Sequence, residues 1–269
     1  MRRRLFWEEM TTTDFSAGDA GEWIAILPVA AIEQHGPHLP LSTDSAIARG
    51  LIRRVAELLP PDLPAVFLPV QTIGKSNEHI DSRGTLTLSW ETATKSWLEI
   101  GESVRRAGIR KLVIVTSHGG NVPIMDIVAR ELRVTHGMLA VTTSWSRLGV
   151  PDGVLSDAER SYGIHAGDEE TSMMLALHPE LVRMEHARNF ISAQQSHETE
   201  FEKLRGHGPV QFGWKIGDLN LEGAAGNAMA ATPEKGWAII NHRAEGFIAV
   251  LRDAHGFDLS RLQDGAPLP

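Results

Sequence analysis

Ile24-Ala-Ile-Leu-Pro-Val-Ala-Ala31 is a continuous apolar run that leads directly into Ile32-Glu-Gln-His-Gly-Pro-His-Leu-Pro-Leu-Ser-Thr-Asp44. Continuous apolar runs are typical of strands that are buried on both faces of a parallel sheet. The segment that follows places Glu33, His35 and Asp44 just beyond the carboxyl end of this strand, where α/β sheets hold their ligand sites. This stretch therefore predicts an α/β fold with a polar site after its first strand.

Strands and helices alternate along the rest of the chain. The same kind of apolar run predicts buried strands at 65–71, 111–117 and 139–144. Helical patterns are predicted at about 44–58, 91–107, 122–136, 168–177 and 233–254. Asn121 is a favoured N-cap residue for the third of these helices, and Gly137 closes it. The alternation favours a mostly parallel sheet covered by helices, in a single domain spanning 1–269.

One long irregular region interrupts this pattern. It runs from Gly206 to Gly226 and is rich in glycine. A long loop inside a compact domain is usually functional or makes contacts, so we expect this one to lie near the site.

The composition excludes several classes of function. The chain has 269 residues and a formal net charge of −8, with no block of Lys or Arg, which argues against a nucleic-acid groove or an anionic membrane surface. No stretch approaches about 18 consecutive apolar residues, and no apolar segment follows the basic N-terminus, so we expect a cytoplasmic protein. The absence of cysteine leaves only His, Asp and Glu as strong metal ligands.

A second group of polar residues follows the predicted strand at 111–117. Thr116-Ser-His-Gly-Gly-Asn121 places His118 at the same sheet edge as the first group. The two glycines let the backbone approach a ligand, and their amides lie where an oxyanion can bind. The alternative is that Gly119 and Gly120 serve only the backbone angles of a strand-to-helix turn.

The third group is Ile164-His-Ala-Gly-Asp-Glu-Glu-Thr-Ser172, in which three acids open a helix. Asp168 and Glu169 are explained by the favourable position of a carboxylate in a first helical turn. Glu170 precedes an apolar run, and a carboxylate buried there needs a partner such as a metal ion. His165 is a candidate for proton transfer, because an imidazole titrates near neutral pH.

Taken together, these segments resemble the creatininase family of metal-dependent amidohydrolases over nearly the whole chain. The resemblance implies a three-layer α/β/α domain, often assembled into hexamers, with a two-metal site at the carboxyl edge of the sheet. It implies that Glu33 and His118 hold one ion, that His35 helps to hold the other, and that Asp44 bridges both. The matching segments are 33–44, 74–79 with 84–86, 117–121, 165–172, and 223–226 with 231–236.

The chain departs from the family at the last ligand of the second ion. Family members that hydrolyse creatinine carry a Tyr and a metal-binding Glu directly after the histidine that matches His118, whereas this chain has Gly119 and Gly120. The missing ligand must come from elsewhere. Glu170 is our prediction, with Glu169 or water as alternatives.

A second departure concerns the substrate. The Trp-Asp pair that the creatinine-hydrolysing members place before the next histidine is replaced by Ser161 and Tyr162. Creatinine is therefore not the expected substrate, and we expect a bulkier amide that passes Tyr162 and Ser76. The same His-Gly-Gly-Asn sequence is shared by family members that act on a formamide or a peptide.

The resemblance implies hydrolysis of a carbon–nitrogen bond in a small amide, a formamide or a short peptide by metal-activated water. The expected cofactors are two divalent ions of Zn, Mn or Fe, and the expected partners are the amide substrate and further copies of this chain, forming a homo-oligomer of which the hexamer is one form. His165 is expected to transfer a proton to the leaving nitrogen. The residues expected to contact the substrate are Ser76, Gly119, Gly120, Asn121 and Tyr162.

Two further histidines have open roles. His79 is expected either to line the mouth of the site or to be an ordinary exposed residue. His38 is expected to form a hydrogen bond behind the ligands rather than to bind an ion. Three alternative functions stay open: an isomerase or lyase that uses the same site, a creatinine amidohydrolase, and a binding protein without catalytic activity.

Overall fold

A four-stranded parallel sheet forms the centre of the computed structural model, which describes residues 4–16 and 20–263. Its strands are β1 (Ile24–Val29), β2 (Ala65–Phe67), β3 (Lys111–Thr116) and β4 (Leu139–Ser144), in the spatial order β2-β1-β3-β4. The four strands predicted from apolar runs are confirmed. Both β1 and β2 end earlier than predicted, although the chain after Phe67 still lies beside β1, where Gln71 forms an isolated bridge with Val29.

The sheet is covered by helices on both faces. The helices are α1 (Thr12–Ser16), α2 (Thr43–Leu58), α3 (Trp90–Arg106), α4 (Val122–His136), α5 (Asp157–Tyr162), α6 (Asp168–Leu177), α7 (Gln194–Glu200), α8 (Ile216–Leu219) and α9 (Pro233–Gly256). The five longest were predicted within two residues at each end. The short helices α1, α5, α7 and α8 were not predicted.

Alternate residues of the central strands pack into two separate apolar cores. Ile24 and Ile26 face a core formed with α2, α6 and α9. Ala25 and Leu27 face the other core, formed with α3 and α4. Because successive side chains of a strand point to opposite faces, β1 is buried along its whole length. These two cores on a parallel sheet confirm the predicted three-layer α/β/α architecture.

The first turn of α4 differs from the prediction. Asn121 stands at the N-cap position, but its side chain does not cap the helix. Its amide oxygen accepts the backbone N–H of Lys75 at 2.9 Å, and its amide nitrogen donates to the carbonyl of Ala30 at 3.0 Å. Asn121 therefore ties three segments together beneath the sheet edge. Gly137 closes the helix as predicted, with a left-handed φ of 60°.

The glycine-rich region 206–226 is only partly irregular. It contains α8 and leads into β6 (Gly226–Asn227), which pairs antiparallel with β5 (Asn189–Phe190). Ala225, just before β6, pairs with His165 through reciprocal backbone hydrogen bonds. The region thus fixes the backbone of a candidate site residue. None of the helices described is both long enough and apolar enough to cross a membrane.

Candidate metal centre

Asp44 lies between two histidines that come from different strand ends. It is in the first turn of α2 and is 1% exposed. Its Oδ2 atom lies 3.5 Å from Nδ1 of His118, which follows β3, and its Oδ1 atom lies 3.7 Å from Nε2 of His35, which follows β1. The two oxygens of one carboxylate therefore face two different imidazoles.

The His118 side of the centre also contains Glu33. Oε2 of Glu33 lies 3.2 Å from Nδ1 of His118 and accepts a hydrogen bond from the hydroxyl of Ser76. The opposite ring nitrogen of His118 donates to the carbonyl of Lys75 at 2.8 Å. In the neutral imidazole this leaves the lone pair on Nδ1, facing the carboxylates of Glu33 and Asp44.

The His35 side of the centre contains Glu170. Nδ1 of His35 donates to the carbonyl of Glu33 at 3.0 Å, so the lone pair of the neutral ring is on Nε2. Oε2 of Glu170 lies 3.8 Å from this Nε2 atom and accepts the backbone N–H of Ala166 at 2.6 Å. Ala166 has a left-handed φ of 55°, a strained conformation for a residue with a side chain, which directs its N–H toward Glu170.

The arrangement fits two divalent cations. Lone pairs of nitrogen and oxygen face one another here, and Glu33 Oε1, His35 Nε2 and Asp44 Oδ2 are buried without a hydrogen-bond partner among the described residues. Two ligand atoms that each lie about 2.1 Å from one tetrahedral ion are about 3.4 Å from each other. The distances between facing atoms, 3.2, 3.5, 3.7 and 3.8 Å, are close to that spacing.

The pKa values of these groups show that the buried carboxylates favour a positive charge beside them. Burial alone would lower the pKa of His35, but the carboxylates of Asp44, Glu170 and Glu33 outweigh it and raise the pKa to about 10. Burial raises the pKa of Glu170 to about 7. A cation placed among the carboxylates would replace the proton that His35 otherwise holds.

Of the three consecutive acids, only Glu170 is available to the centre. Lys235, on α9, lies 2.5 Å from Oδ2 of Asp168. Arg243, also on α9, lies 2.7 Å from Oε1 of Glu169 and is 2% exposed. Helix α9 thus neutralises the first two acids, and this geometry favours Glu170 over Glu169 as a ligand.

His165 and His79 stack beside the centre, with ring centroids 4.3 Å apart. Nε2 of His165 donates to the carbonyl of Gln34 at 2.8 Å, which leaves a lone pair on Nδ1, 3.7 Å from Oε1 of Glu33. The amide of Gln34 is oriented by the N–H of Gly36, which donates to its oxygen at 3.0 Å. Its nitrogen therefore donates to Nδ1 of His79 at 2.7 Å, and the N–H of His79 is on Nε2.

These tautomers give the two stacked rings opposite properties. His165 presents an unprotonated nitrogen to the centre, and burial lowers its pKa well below the ordinary value. His79 presents an N–H donor at 3.5 Å from Oε1 of Glu33 and is 2% exposed, so it is not an ordinary exposed histidine. One ring can accept a proton while its neighbour donates a hydrogen bond.

Three residues expected to contact substrate lie elsewhere. Ser76 is buried behind Glu33, and Asn121 is buried within its backbone contacts, so both hold the scaffold. The hydroxyl of Tyr162 points to Glu198, to which it donates at 2.7 Å. None of the three is among the described residues that line the cavity, whereas Gly119 and Gly120 are. The directions of these hydrogen bonds cannot be predicted from the spacing of the residues along the sequence.

His38 takes the position that the sequence suggested for it. It is 1% exposed, shares a hydrogen bond with the hydroxyl of Thr171 at 2.9 Å, and stacks on Phe190. Burial and the nearby His35 lower its pKa to about 4. His38 is therefore a neutral ring that is hydrogen-bonded to the first turn of α6.

A cavity of about 1300 Å³ opens above the centre. Sequence reasoning missed several residues of the site, among them Gln34, Trp145 and Glu78. Gln34 and Glu78 each stand next to a predicted histidine, and that adjacency was the available signal. The cavity wall away from the centre includes Trp145, Val150, Leu155, Ile164, His207, Gln211, Phe212, Trp214 and Lys215.

Comparison with known proteins gives a consistent result. The family model described as creatininase, creatinine amidohydrolase, matches residues 8–251. A mycofactocin precursor peptide peptidase from Mycobacterium tuberculosis is 36% identical over 169 residues, or 61% of this chain and 62% of that protein. The matched region thus spans less than two thirds of that relative's length. A creatinine amidohydrolase from Pseudomonas putida is 32% identical over 206 residues, or 69% of this chain and 76% of that protein.

Solved structures agree with the sequence comparison. A creatininase described as the Mn form has a TM-score of 0.74 and 26% identity, covering 94% of this chain and 100% of that chain. A variant creatininase described as the Zn-Zn type also has a TM-score of 0.74 and 26% identity, covering 94% of this chain and 99% of that chain.

Proposed function

The chain belongs to the creatininase family, and from this premise we propose that it hydrolyses the carbon–nitrogen bond of an amide at a centre for two divalent ions. The observation that carries the proposal is the position of Asp44, whose two oxygens face His118 and His35 separately. Glu33 completes one side of the centre and Glu170 the other. Bound divalent ions supply Lewis-acid activation of water and of the amide carbonyl.

The protein's own groups divide the remaining chemistry. His165 accepts a proton from the attacking water at Nδ1 and passes it to the leaving nitrogen, because its lone pair faces the centre and its Nε2–H is held by the carbonyl of Gln34. His79 donates a hydrogen bond from Nε2 at the same edge of the centre. Ser76 holds the carboxylate of Glu33 in place from behind.

The size of the cavity favours an extended amide over creatinine. Its volume of about 1300 Å³ exceeds the range of roughly 300 to 1000 Å³ that is usual for small-ligand pockets. A side-chain atom added at Gly119 would meet nothing within 4 Å, so the cavity is open where creatinine-hydrolysing members carry a Tyr. A short peptide or a bulky formamide fits this space, and one relative is named as a peptidase.

The test is a turnover assay with protein loaded with Zn²⁺ or Mn²⁺, using creatinine, formamides and short peptides as substrates. We expect cleavage of at least one extended amide, with oxygen from isotope-labelled water in the new carboxyl group. A product that lacks the label would indicate an isomerase or a lyase. Failure to bind ions would contradict the proposed centre.

We also propose that the protein is a homo-oligomer, as its family resemblance suggests, and that it acts in the cytoplasm. Large apolar side chains are exposed on the segment before α3 and at the first residue of that helix, including Ile80, Leu86 and Trp90, which are 50% to 56% exposed. Mass measurement by light scattering in solution tests the assembly, and a hexamer is the expected size.

A further inference from the structure

Glu78 lies against Nε2 of His118, the ring nitrogen opposite the one that faces Glu33 and Asp44. Its Oε1 atom is 3.2 Å from Nε2 of His118, the nitrogen that donates to the carbonyl of Lys75. The side chain of Glu78 is 15% exposed and lines the cavity. His118 therefore has carboxylates on both sides: Glu33 and Asp44 face Nδ1, and Glu78 faces Nε2.

Gly120 is required for this contact. A Cβ atom at position 120 would overlap Oε1 of Glu78, the carbonyl of Lys75 and Nε2 of His118 at once. The carbonyl and the ring are fixed, so the overlap has no easy relief. Gly119 has no such neighbour within 4 Å. The two glycines of the pair thus differ: Gly120 makes room for Glu78, whereas Gly119 leaves the cavity open.

We propose that Glu78 is a positioning residue that strengthens the binding of the ion held by His118, Glu33 and Asp44, and that Gly120 leaves free the space in which Lys75, His118 and Glu78 meet. The inference rests on the proposed two-ion centre. The carbonyl of Lys75 is enough to fix the tautomer of His118, but the Glu78 carboxylate adds a negative charge. That charge makes Nδ1 a more basic ligand, which is the effect of a carboxylate on the outer nitrogen of a metal-binding histidine.

The discriminating variant is Glu78→Gln, which keeps the shape of the side chain and removes its charge. Zn²⁺ affinity is measured for both ions by competition with a coloured chelator, and the absorption spectrum of the Co²⁺-loaded protein reports the ligand field. Asp81→Asn is the matched control, because this carboxylate is three residues away and its side chain is 70% exposed. Unfolding of the metal-free proteins shows whether the fold is unchanged.

We expect Glu78→Gln to weaken one ion by about 10- to 100-fold and to leave the other unchanged, with two ions still bound at saturating Zn²⁺. The control should match the wild type in ion affinity and in metal-free melting temperature. Unchanged affinity for both ions would overturn the inference but not the proposed function. Loss of one ion even at saturation would make Glu78 a direct ligand and would overturn the positioning role. A wild-type protein that binds no ion would overturn both proposals.

Discussion

At the scale of single residues, Asp44 is the group that both halves of the proposed centre share. Asp44→Asn keeps the size of the side chain and removes its charge, so each ion loses an anionic ligand. We expect both ions to be lost after dialysis, together with hydrolysis. Elemental analysis and the turnover assay measure this. Asp62→Asn, at an exposed position, is the control. A variant that kept one tightly bound ion would show that Asp44 does not bridge.

His165 is assigned a different role, because its lone pair faces the centre while its other nitrogen is held by a carbonyl. His165→Ala should keep both ions and lower kcat by about 10²- to 10⁴-fold, the usual effect of removing a proton-transfer group. His178, whose side chain is 42% exposed, provides the control variant His178→Ala. Loss of bound metal in His165→Ala would identify His165 as a ligand, and unchanged kcat would leave it a structural residue.

His38 makes stability depend on pH. Its pKa is about 4 in the folded protein and about 6.5 in the unfolded chain. Between these values the unfolded chain binds more protons, so the stabilisation is present above pH 6.5 and is lost as the pH falls toward 4. In metal-free protein, the free energy of unfolding should decline less from pH 7 to pH 5 in His38→Gln than in the wild type. Equal declines would contradict this.

The clustering of the proposed ligand residues was predictable from the sequence because they follow strands, and the ends of parallel strands meet at one edge. That reasoning gave Glu33, His35 and His118, and the structure brings all three together. Ser76 and Tyr162 do not line the cavity, although the sequence predicted that they contact the substrate. The direction of their hydrogen bonds depends on partners far away in the sequence. Ser76 and Tyr162 can affect a bound substrate only through the groups that they orient, and this role stays a prediction.

At the scale of elements, strands and long helices were predictable because their apolar residues recur with a clear period. Helices α1, α5, α7 and α8 are too short to show a period, and they were missed. The contact of α9 with the acids of α6 could not be predicted either, because Arg243 and Glu169 are 74 positions apart in the sequence. The organisation of 1–269 as one domain stays a prediction.

The packing of α9 on α6 gives a prediction for glycine. A Cβ atom at Gly236 would overlap the backbone carbonyl of Ser172, whereas one at Gly246, on the same helix, would lie 3.6 Å from Leu148 in ordinary contact. Gly236→Ala should therefore destabilise the protein by about 1 to 3 kcal/mol as the helices separate. Gly246→Ala should be neutral or stabilising by up to about 1 kcal/mol, since alanine favours helix.

Urea unfolding of both variants measures this difference. The pair shares one helix and one substitution, so a general effect of alanine on α9 cancels. Equal stabilities of the two variants would show that the α6–α9 contact at Gly236 is not tight.

At the scale of the whole molecule, the cavity predicts which amides the protein cleaves. Creatinine would leave most of the about 1300 Å³ filled with water and would lack the aromatic wall that a Tyr at position 119 would give. We expect kcat/KM for creatinine to stay below about 10⁴ M⁻¹s⁻¹, the lower end of the ordinary enzyme range. Steady-state kinetics on the ion-loaded protein measures it, and a value above this limit would support the simpler assignment to creatinine.

The pairing of Asp168 with Lys235 and of Glu169 with Arg243 has a consequence for biosynthesis. Three adjacent carboxylates at the start of α6 repel one another until cations arrive, and both cations belong to the last long helix of the chain. During translation the strands and the first ligands emerge from the ribosome early. Glu170 can settle beside His35 only after α9 has emerged and docked. The nascent protein should therefore stay inactive until α9 has been synthesised.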